Sequence, residues 1–129
     1  MSRLMSVALT EQAVRERRKT VTRRLGWAGL QPGTRLTLCR KVMGRRRRDG
    51  GVEPLVRIAE VEVVSVRREP LSAIGPDETA LEGLPDMTAG AFVEFFCEHM
   101  RCSPDDIVTR IEWRYLTAVD EQLGKDGTT

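Results

Sequence analysis

The sequence predicts an α+β domain in which an antiparallel or mixed sheet curls into a small β-barrel with peripheral helices. Its 129 residues fit one domain, which we place at residues 1–118, before a polar tail over 119–129 that we expect to be disordered. Strand-like segments lie near both ends of the chain and in its middle, and the helical patterns lie between them. Strands that are distant in sequence and separated by helices favour one curled sheet over parallel βαβ units.

The first half of the chain alternates short strand-like and helical segments. Residues 2–8 are compatible with a first strand, and Thr10 followed by Glu11 predicts the start of a helix of about two turns. Thr20, Val21 and Thr22 are largely β-branched and predict an extended segment after that helix. Residues 34–41 alternate between apolar and polar side chains, which predicts a further strand.

The second half contains the strongest periodic patterns. Residues 56–66 are rich in valine and predict a long half-buried strand, with a bulge near Ala59 where the alternation changes phase. Short helical turns are predicted over 70–74 and 77–82. Thr88 predicts the N-cap of a helix that continues to Met100, with an inward stripe formed by Phe92, Val93, Phe96, Cys97 and Met100. Residues 107–116 predict the last strand.

The net charge of +2 conceals a strong asymmetry between the two halves of the chain. Residues 1–48 carry 14 Lys or Arg and two Glu, whereas residues 49–129 carry seven Lys or Arg and 17 Asp or Glu. A basic half favours a polyanion partner such as RNA or single-stranded nucleic acid, although the two halves can also neutralise each other within one fold. The candidate nucleic-acid-binding residues are Arg15, Arg17, Arg18, Thr20, Arg23, Arg24, Arg40, Lys41, Arg45, Arg46, Arg47 and Arg48. Trp27 could stack on a base or close one end of the barrel.

The basic segment over residues 17–24 combines five cations with two threonine hydroxyls around one valine. Lys and Arg are almost never fully buried without partners, so the segment is predicted to lie at the surface, at the mouth of a pocket. Neighbouring cations would lower the pKa of Lys19 and make it a usable base, and Thr22 could be a nucleophile or a hydrogen-bond donor. A regular strand would place these two side chains on opposite faces, so cooperation needs a turn between them. A solvated basic edge explains the same residues equally well.

Several other classes of site are disfavoured. Cys39, Cys97, His99 and Cys102 could form a zinc set, but Cys97 belongs to the apolar stripe of its helix, so a structural thiol is favoured and we expect neither metal nor cofactor. An odd number of cysteines fits reduced thiols, and no membrane span or signal peptide is evident, so a cytoplasmic location is expected. The chain has no P-loop and no dinucleotide fingerprint, and it has one histidine only.

Four short motifs make the chain resemble the ASCH domains of the PUA-like superfamily. Residues 19–24 read K-T-V-T-R-R and are similar to the K-T-x-T-x-R segment of the family. Residues 32–36, P-G-T-R-L, resemble its entry into the next strand, and residues 82–84, E-G-L, resemble its E-G-F element. Residues 106–113 resemble its last strand. The resemblance covers roughly residues 2–116, with the motifs in the expected order.

This resemblance implies a PUA-like β-barrel with a cleft beside the K-T-x-T-x-R segment. ASCH domains are linked to RNA binding, which implies an RNA- or nucleotide-binding domain with a nucleobase-sized cleft beside Lys19 and Thr22. Small bacterial relatives are amidohydrolases that deacylate N4-acetylcytidine. By that similarity Lys19 is the base, Thr22 the nucleophile and Glu82 the acid, with Glu78 as a second candidate for the acid. A protein-interaction accessory domain is a further alternative.

Overall fold

A single five-stranded sheet forms the centre of the computed structural model, which describes residues 3–40, 50 and 55–120. Its strands lie in the order β1-β3-β4-β5-β2. β1 and β3 run parallel and the other neighbours are antiparallel, so the sheet is mixed. The strand bounds are Arg3–Ser6 for β1, Val21–Arg24 for β2, Arg35–Cys39 for β3, Arg57–Pro70 for β4 and Ile107–Tyr115 for β5. The sheet curls into a half-barrel, and the predicted α+β class is confirmed.

β4 is the spine of the sheet because it pairs with both β3 and β5. The sequence predicts this strand to end near residue 66, but it continues to Pro70. The charged residues after Val66 hide the strand from an apolar pattern, yet their backbones pair with β5, with Arg67 opposite Arg110. The predicted bulge near Ala59 is confirmed, since the register with β3 shifts there.

The helices are short except for the last one. Their bounds are Glu11–Arg15 for α1, Glu78–Leu81 for α2 and Ala89–Met100 for α3, and single 3₁₀ turns lie at Ala8–Thr10 and Leu71–Ala73. The predicted N-cap at Thr88 is confirmed, because its side chain accepts a hydrogen bond from the backbone N–H of Ala91 at 3.0 Å. Thr10 precedes α1 but forms no capping hydrogen bond with its side chain.

Two apolar clusters hold the elements together. The larger lies within the curled sheet and includes Leu36, Leu38, Val61, Ile111 and Trp113. The smaller packs α3 against the start of β5 and the 3₁₀ turn after β4, and comprises Leu71, Ile74, Phe92, Phe96 and Val108. Because α3 is held beside the sheet in this way, its aromatic face lies close to β2 and the segment after α2.

A close approach at Gly83 fixes that segment against α1. Gly83 has a φ of +90°, and a Cβ at this position would lie 2.8 Å from the Cβ of Ala13 and 3.4 Å from that of Lys19. Glycine is the residue that adopts such a φ without strain and leaves room for this contact. The residue before it, Glu82, is thereby brought beside Lys19.

Residues 119 and 120 are the described part of the tail that the sequence predicts to be disordered. The Asp120 carboxylate accepts hydrogen bonds from the backbone N–H and the side-chain hydroxyl of Thr117. Residues 121–129 lie outside the described residues. Within residues 3–40, 50 and 55–120, no helix has the length and apolar character that crossing a membrane requires.

Candidate functional site: the cavity beside β2

A cavity of about 180 Å³ lies between the start of β2, the segment after α2 and the side of α3. Its polar side is formed by Lys19, Thr22, Arg23, Arg24 and Glu82. Its opposite side is formed by apolar and aromatic residues, among them Leu84, Phe92, Phe95, Phe96, His99 and Met100. The three residues that the resemblance assigns to chemistry, Lys19, Thr22 and Glu82, therefore line one cavity. A small cavity with a few convergent polar groups is the usual form of a ligand site.

Lys19 is buried in the floor of this cavity, with 3% of its surface exposed. Its ammonium donates one hydrogen bond to the backbone carbonyl of Glu82 at 2.7 Å and another to the Glu82 carboxylate at 3.2 Å. Burial lowers the pKa of Lys19, the Glu82 carboxylate opposes this effect, and the guanidinium groups of Arg24 and Arg23 lower the pKa further. Lys19 is thus a lysine whose neutral form is favoured relative to a lysine in water.

The sequence predicts residues 17–24 to be a surface segment, but Lys19, Thr22 and Arg23 are buried. The Arg23 side chain has no exposed surface, and its guanidinium donates to Glu82 at 2.8 Å, to Glu78 at 2.7 Å and to Glu69 at 3.3 Å. Carboxylates supplied by distant segments make this burial possible. A phosphate contact needs an accessible guanidinium, so the burial of Arg23 disfavours the nucleic-acid-binding role that the sequence predicts for it.

Thr22 and Arg24 lie two residues apart on β2, and both line the cavity. The Nε of Arg24 donates to Oγ1 of Thr22 at 3.2 Å, and its Nη2 donates to the backbone carbonyl of Ser6 at 2.7 Å. Burial lowers the pKa of Arg24, and the Glu82 carboxylate opposes this. Lys19 lies in the irregular segment before β2, which begins at Val21, and the side chains of Lys19 and Thr22 line the same cavity.

Of the two candidate acids, Glu82 lines the cavity and Glu78 does not. Glu78 instead accepts hydrogen bonds from Arg110 at 2.7 and 3.0 Å and from Arg23. The hydrogen bonds from Arg110, followed by the one from Arg23, lower the pKa of Glu78 to about 2. Glu78 therefore acts on the cavity only through Arg23.

Three of the predicted phosphate contacts are paired with carboxylates at the surface. Arg15 and Arg40 both bind Glu11, with Nε to carboxylate distances of 2.9 and 2.8 Å. These arginines, Arg40 first, lower the pKa of Glu11 to about 2. Arg18 binds Glu16 at 2.6 Å. None of the three arginines lines the cavity.

Arg17, Trp27 and Thr20 also lie away from the cavity lining. The guanidinium of Arg17 is 5.5 Å from the ring centroid of Tyr115, and that of Arg3 is 4.4 Å from the ring centroid of Trp27. Trp27 packs against the larger apolar cluster, which matches the alternative in which it closes one end of the barrel. The backbone of Thr20 bridges β5 and the end of α2.

The remaining predictions concern the arginine-rich loop and the zinc set. Lys41, Arg45, Arg46, Arg47 and Arg48 lie outside the described residues. Within the described part of the chain, no group of three or more His, Cys, Asp or Glu is placed to hold a metal ion. Cys39 is buried in β3, while Cys97 and Cys102 lie together near the end of α3 with 3.9 Å between their sulfur atoms.

Sequence reasoning missed the lining residues from the end of β1 and the segment after it, which are Ser6 to Thr10, and those from α3, among them His99 and Phe95. The rings of these two residues are 4.2 Å apart, and Nδ1 of His99 lies 3.0 Å from the carbonyl oxygen of Phe95. A carbonyl only accepts, so this hydrogen bond places the proton of a neutral imidazole on Nδ1 and leaves Nε2 as an acceptor. The aromatic spacing 92, 95, 96 and 99 on α3 is a helical face that could have revealed both.

The fold is that of solved ASCH-domain structures. A protein of Enterococcus faecalis V583 described under the family model DUF984 matches with a TM-score of 0.58 and 16% identity, over 90% of this chain and 80% of that chain. The ASCH domain of Lactobacillus crispatus JV V101 matches at 0.57 and 15% identity, over 88% and 79%. ASCH from Zymomonas mobilis matches at 0.56 and 10% identity, over 98% and 80%. No family model and no curated protein matches the sequence.

Proposed function

We propose that the chain is an ASCH-type domain whose cavity binds a nucleobase-sized ligand, a nucleoside or a nucleotide. The observation that carries the proposal is the division of the cavity into an aromatic side on α3 and a polar side at Lys19, Thr22, Arg24 and Glu82. A nucleobase has flat apolar faces and an edge of hydrogen-bond donors and acceptors. Aromatic rings can pack against its faces while buried polar groups bind its edge.

The surface charges favour a small ligand over an extended phosphate track. Arg15, Arg18 and Arg40 are already paired with carboxylates, so each would have to exchange a partner to bind phosphate. Binding of an RNA strand then depends mainly on Lys41 and on Arg45 to Arg48. At the polar side of the cavity, the Lys19 ammonium uses two of its three N–H donors and the Thr22 hydroxyl can still donate, so both can bind a base without exchanging a partner.

Isothermal titration calorimetry tests the binding proposal with cytidine, N4-acetylcytidine, uridine and cytidine monophosphate as probes. We expect one of them to bind with 1:1 stoichiometry, and Lys19→Met and Thr22→Val to weaken that binding at least tenfold. Arg114→Gln is the matched control, because Arg114 forms an exposed ion pair with Glu62 away from the cavity. Absence of binding by all four probes, or equal affinity in the cavity variants and the control, contradicts the proposal.

The second candidate function is hydrolysis of an N4-acylated cytidine, which the burial of Lys19 specifically favours. A neutral Lys19 can take the proton of the Thr22 hydroxyl while Oγ1 forms a bond to the acyl carbon. The C–N bond then breaks, Lys19 returns the proton to the leaving N4 amine, and water hydrolyses the acyl ester on Thr22. Both oxygens of Glu82 accept hydrogen bonds from cations, which suits the positioning of Lys19 better than the delivery of a proton.

This reaction predicts release of acetate from N4-acetylcytidine, measured by proton NMR or by chromatography of cytidine. We expect Lys19→Met and Thr22→Ala to abolish release and Thr22→Ser to retain part of it. The rate should rise with pH through the lowered pKa of Lys19, because the base is the neutral form. No turnover over a panel of acylated nucleosides, with binding intact, leaves the domain as a binding module.

A further inference from the structure

A chain of alternating charges connects β5 with the floor of the cavity. Arg110 of β5 donates two hydrogen bonds to Glu78, and Glu78 accepts one from Arg23 at 2.7 Å. Arg23 donates to one oxygen of Glu82 at 2.8 Å, and the other oxygen of Glu82 accepts from Lys19 at 3.2 Å. Each member is thus bound to the next by a charge-assisted hydrogen bond.

The chain is buried most deeply at the cavity end. The side chains of Arg23, Glu82 and Lys19 are 0%, 3% and 4% exposed, whereas those of Arg110 and Glu78 are 8% and 18% exposed. Charges interact more strongly where water is excluded. A change of charge at Glu78 should therefore be felt at Lys19, although Glu78 does not line the cavity.

We propose that Arg23 and Glu78 are positioning residues, which set how strongly the Glu82 carboxylate acts on Lys19 and so set the protonation of Lys19. This inference deepens the proposed function and rests on it for its catalytic meaning. Arg23 occupies the second variable position of the K-T-x-T-x-R segment, so the motif alone does not identify it. Its guanidinium binds one oxygen of Glu82 while the ammonium of Lys19 binds the other, so the two cations share one carboxylate.

The direction in which each substitution should shift the pKa of Lys19 follows from the alternation of positive and negative charges along this chain of residues. Glu78→Gln removes a negative charge and one partner of Arg23, so Arg23 competes better with Lys19 for Glu82, and the pKa of Lys19 falls. Arg23→Gln removes a positive charge and releases Glu82 to Lys19, so the pKa of Lys19 rises. The two variants should shift the pKa of Lys19 in opposite directions.

If a substitution merely loosened the structure around the cavity, the pKa of Lys19 would shift differently. Water that enters the cavity hydrates the ammonium and raises the pKa of Lys19 whichever residue is replaced, because burial is the main cause of its lowering. The other charged or titratable groups around Lys19 and the cavity come from several elements. They are Arg24 on β2, Tyr115 on β5, whose hydroxyl donates to the backbone carbonyl of Lys19, Arg17, whose guanidinium lies 5.5 Å from the Tyr115 ring centroid, and His99 on α3.

Carbon-13 NMR of labelled lysine measures the titration of Lys19 without any ligand. The sequence contains three lysines, at positions 19, 41 and 125, so the spectrum contains three side-chain signals, and Lys41→Arg and Lys125→Arg assign them. We expect a lower titration midpoint for Lys19 in Glu78→Gln and a higher one in Arg23→Gln. Glu62→Gln is the matched control, because Glu62 also binds an arginine of β5 but at an exposed site, and it should leave the midpoint unchanged.

Two outcomes overturn the proposal: midpoints that stay unchanged, and midpoints that rise in both variants. If Glu78→Gln does not fold, Glu69→Gln replaces it, since Glu69 contacts Arg23 through the longer 3.3 Å hydrogen bond and its loss should also lower the midpoint. If the protein hydrolyses N4-acetylcytidine, the pH at which the rate rises should shift in each variant in the same direction as the titration midpoint of Lys19. Absence of turnover refutes the hydrolase function alone, because the titration is measured without substrate.

Discussion

Replacement of Glu78 by glutamine should destabilise the protein at neutral pH and much less in acid. The arginines around Glu78 lower its pKa from 4.5 to about 2, with Arg110 as the main cause. At about 1.4 kcal/mol per pKa unit, this shift corresponds to about 3.5 kcal/mol of the free energy of unfolding as an upper bound. The side chain is 18% exposed, so screening by solvent reduces the contribution to about 2 kcal/mol.

The sign follows from the depressed pKa of Glu78. Its contribution is fully present well above pH 4.5, the value for an unfolded chain, and is lost as the pH falls towards 2. We therefore expect Glu78→Gln to lower the free energy of unfolding by about 2 kcal/mol at pH 7, and the difference from the parent to narrow by about 1 kcal/mol at pH 3.

Urea unfolding at both pH values, followed by the fluorescence of the two tryptophans, of which Trp113 is buried in the core, measures this difference. Glu62→Gln at the exposed pair with Arg114 should change the free energy of unfolding by less than about 1 kcal/mol at either pH. A loss for Glu78→Gln that is equal at pH 7 and pH 3 would show that the side chain contributes through packing and not through its charge. A loss below about 0.5 kcal/mol at pH 7 would refute the strong pairing with Arg23 and Arg110.

Two pairs of substitutions, each a test and its control, probe the backbone features that hold the elements around the cavity. Gly83→Ala should lower the free energy of unfolding by about 1–3 kcal/mol, because of the positive φ and the 2.8 Å approach to Ala13. Gly75→Ala, where a Cβ meets nothing within 4 Å, should change it little; equal losses at the two glycines would contradict the close approach. Thr88→Ala should cost about 1 kcal/mol through the lost N-cap of α3, whereas Thr10→Ala loses no capping bond. Thermal unfolding by circular dichroism compares all four, and similar losses at the two threonines would refute the capping argument.

Local patterns were sufficient to predict most of the elements. The alternation over 56–66, the N-cap at Thr88 and the apolar stripe of α3 each depend on residues close together in sequence, although Met100 of that predicted stripe is exposed. The end of β4 could not be predicted in this way. Its last residues are charged, and what makes them a strand is backbone pairing with β5, some 40 residues later.

The burial of Arg23 shows where sequence reasoning fails at the site. The basic segment reads as a surface patch because Glu11 and Glu16, the acids nearest to it in sequence, offset only part of its five positive charges. Its partners Glu69, Glu78 and Glu82 lie 46 to 59 residues away and reach it only through the fold. The opposite charges of the two halves of the chain are thus explained in part by ion pairs between the halves inside one domain.

That pairing also sharpens the case for a functional cavity. Burying several charges is an expensive way to stabilise a fold, since well-packed apolar residues of similar volume often do as well or better. One buried ion pair, between Arg23 and Glu82, could still be a structural link between β2 and α2. A second cation on the same carboxylate is harder to explain in this way. Lys19 adds a buried ammonium beside Glu82, and its pKa is lowered by that burial. A lysine so placed, with Thr22 in the same cavity, is better explained by a ligand or a reaction than by stability.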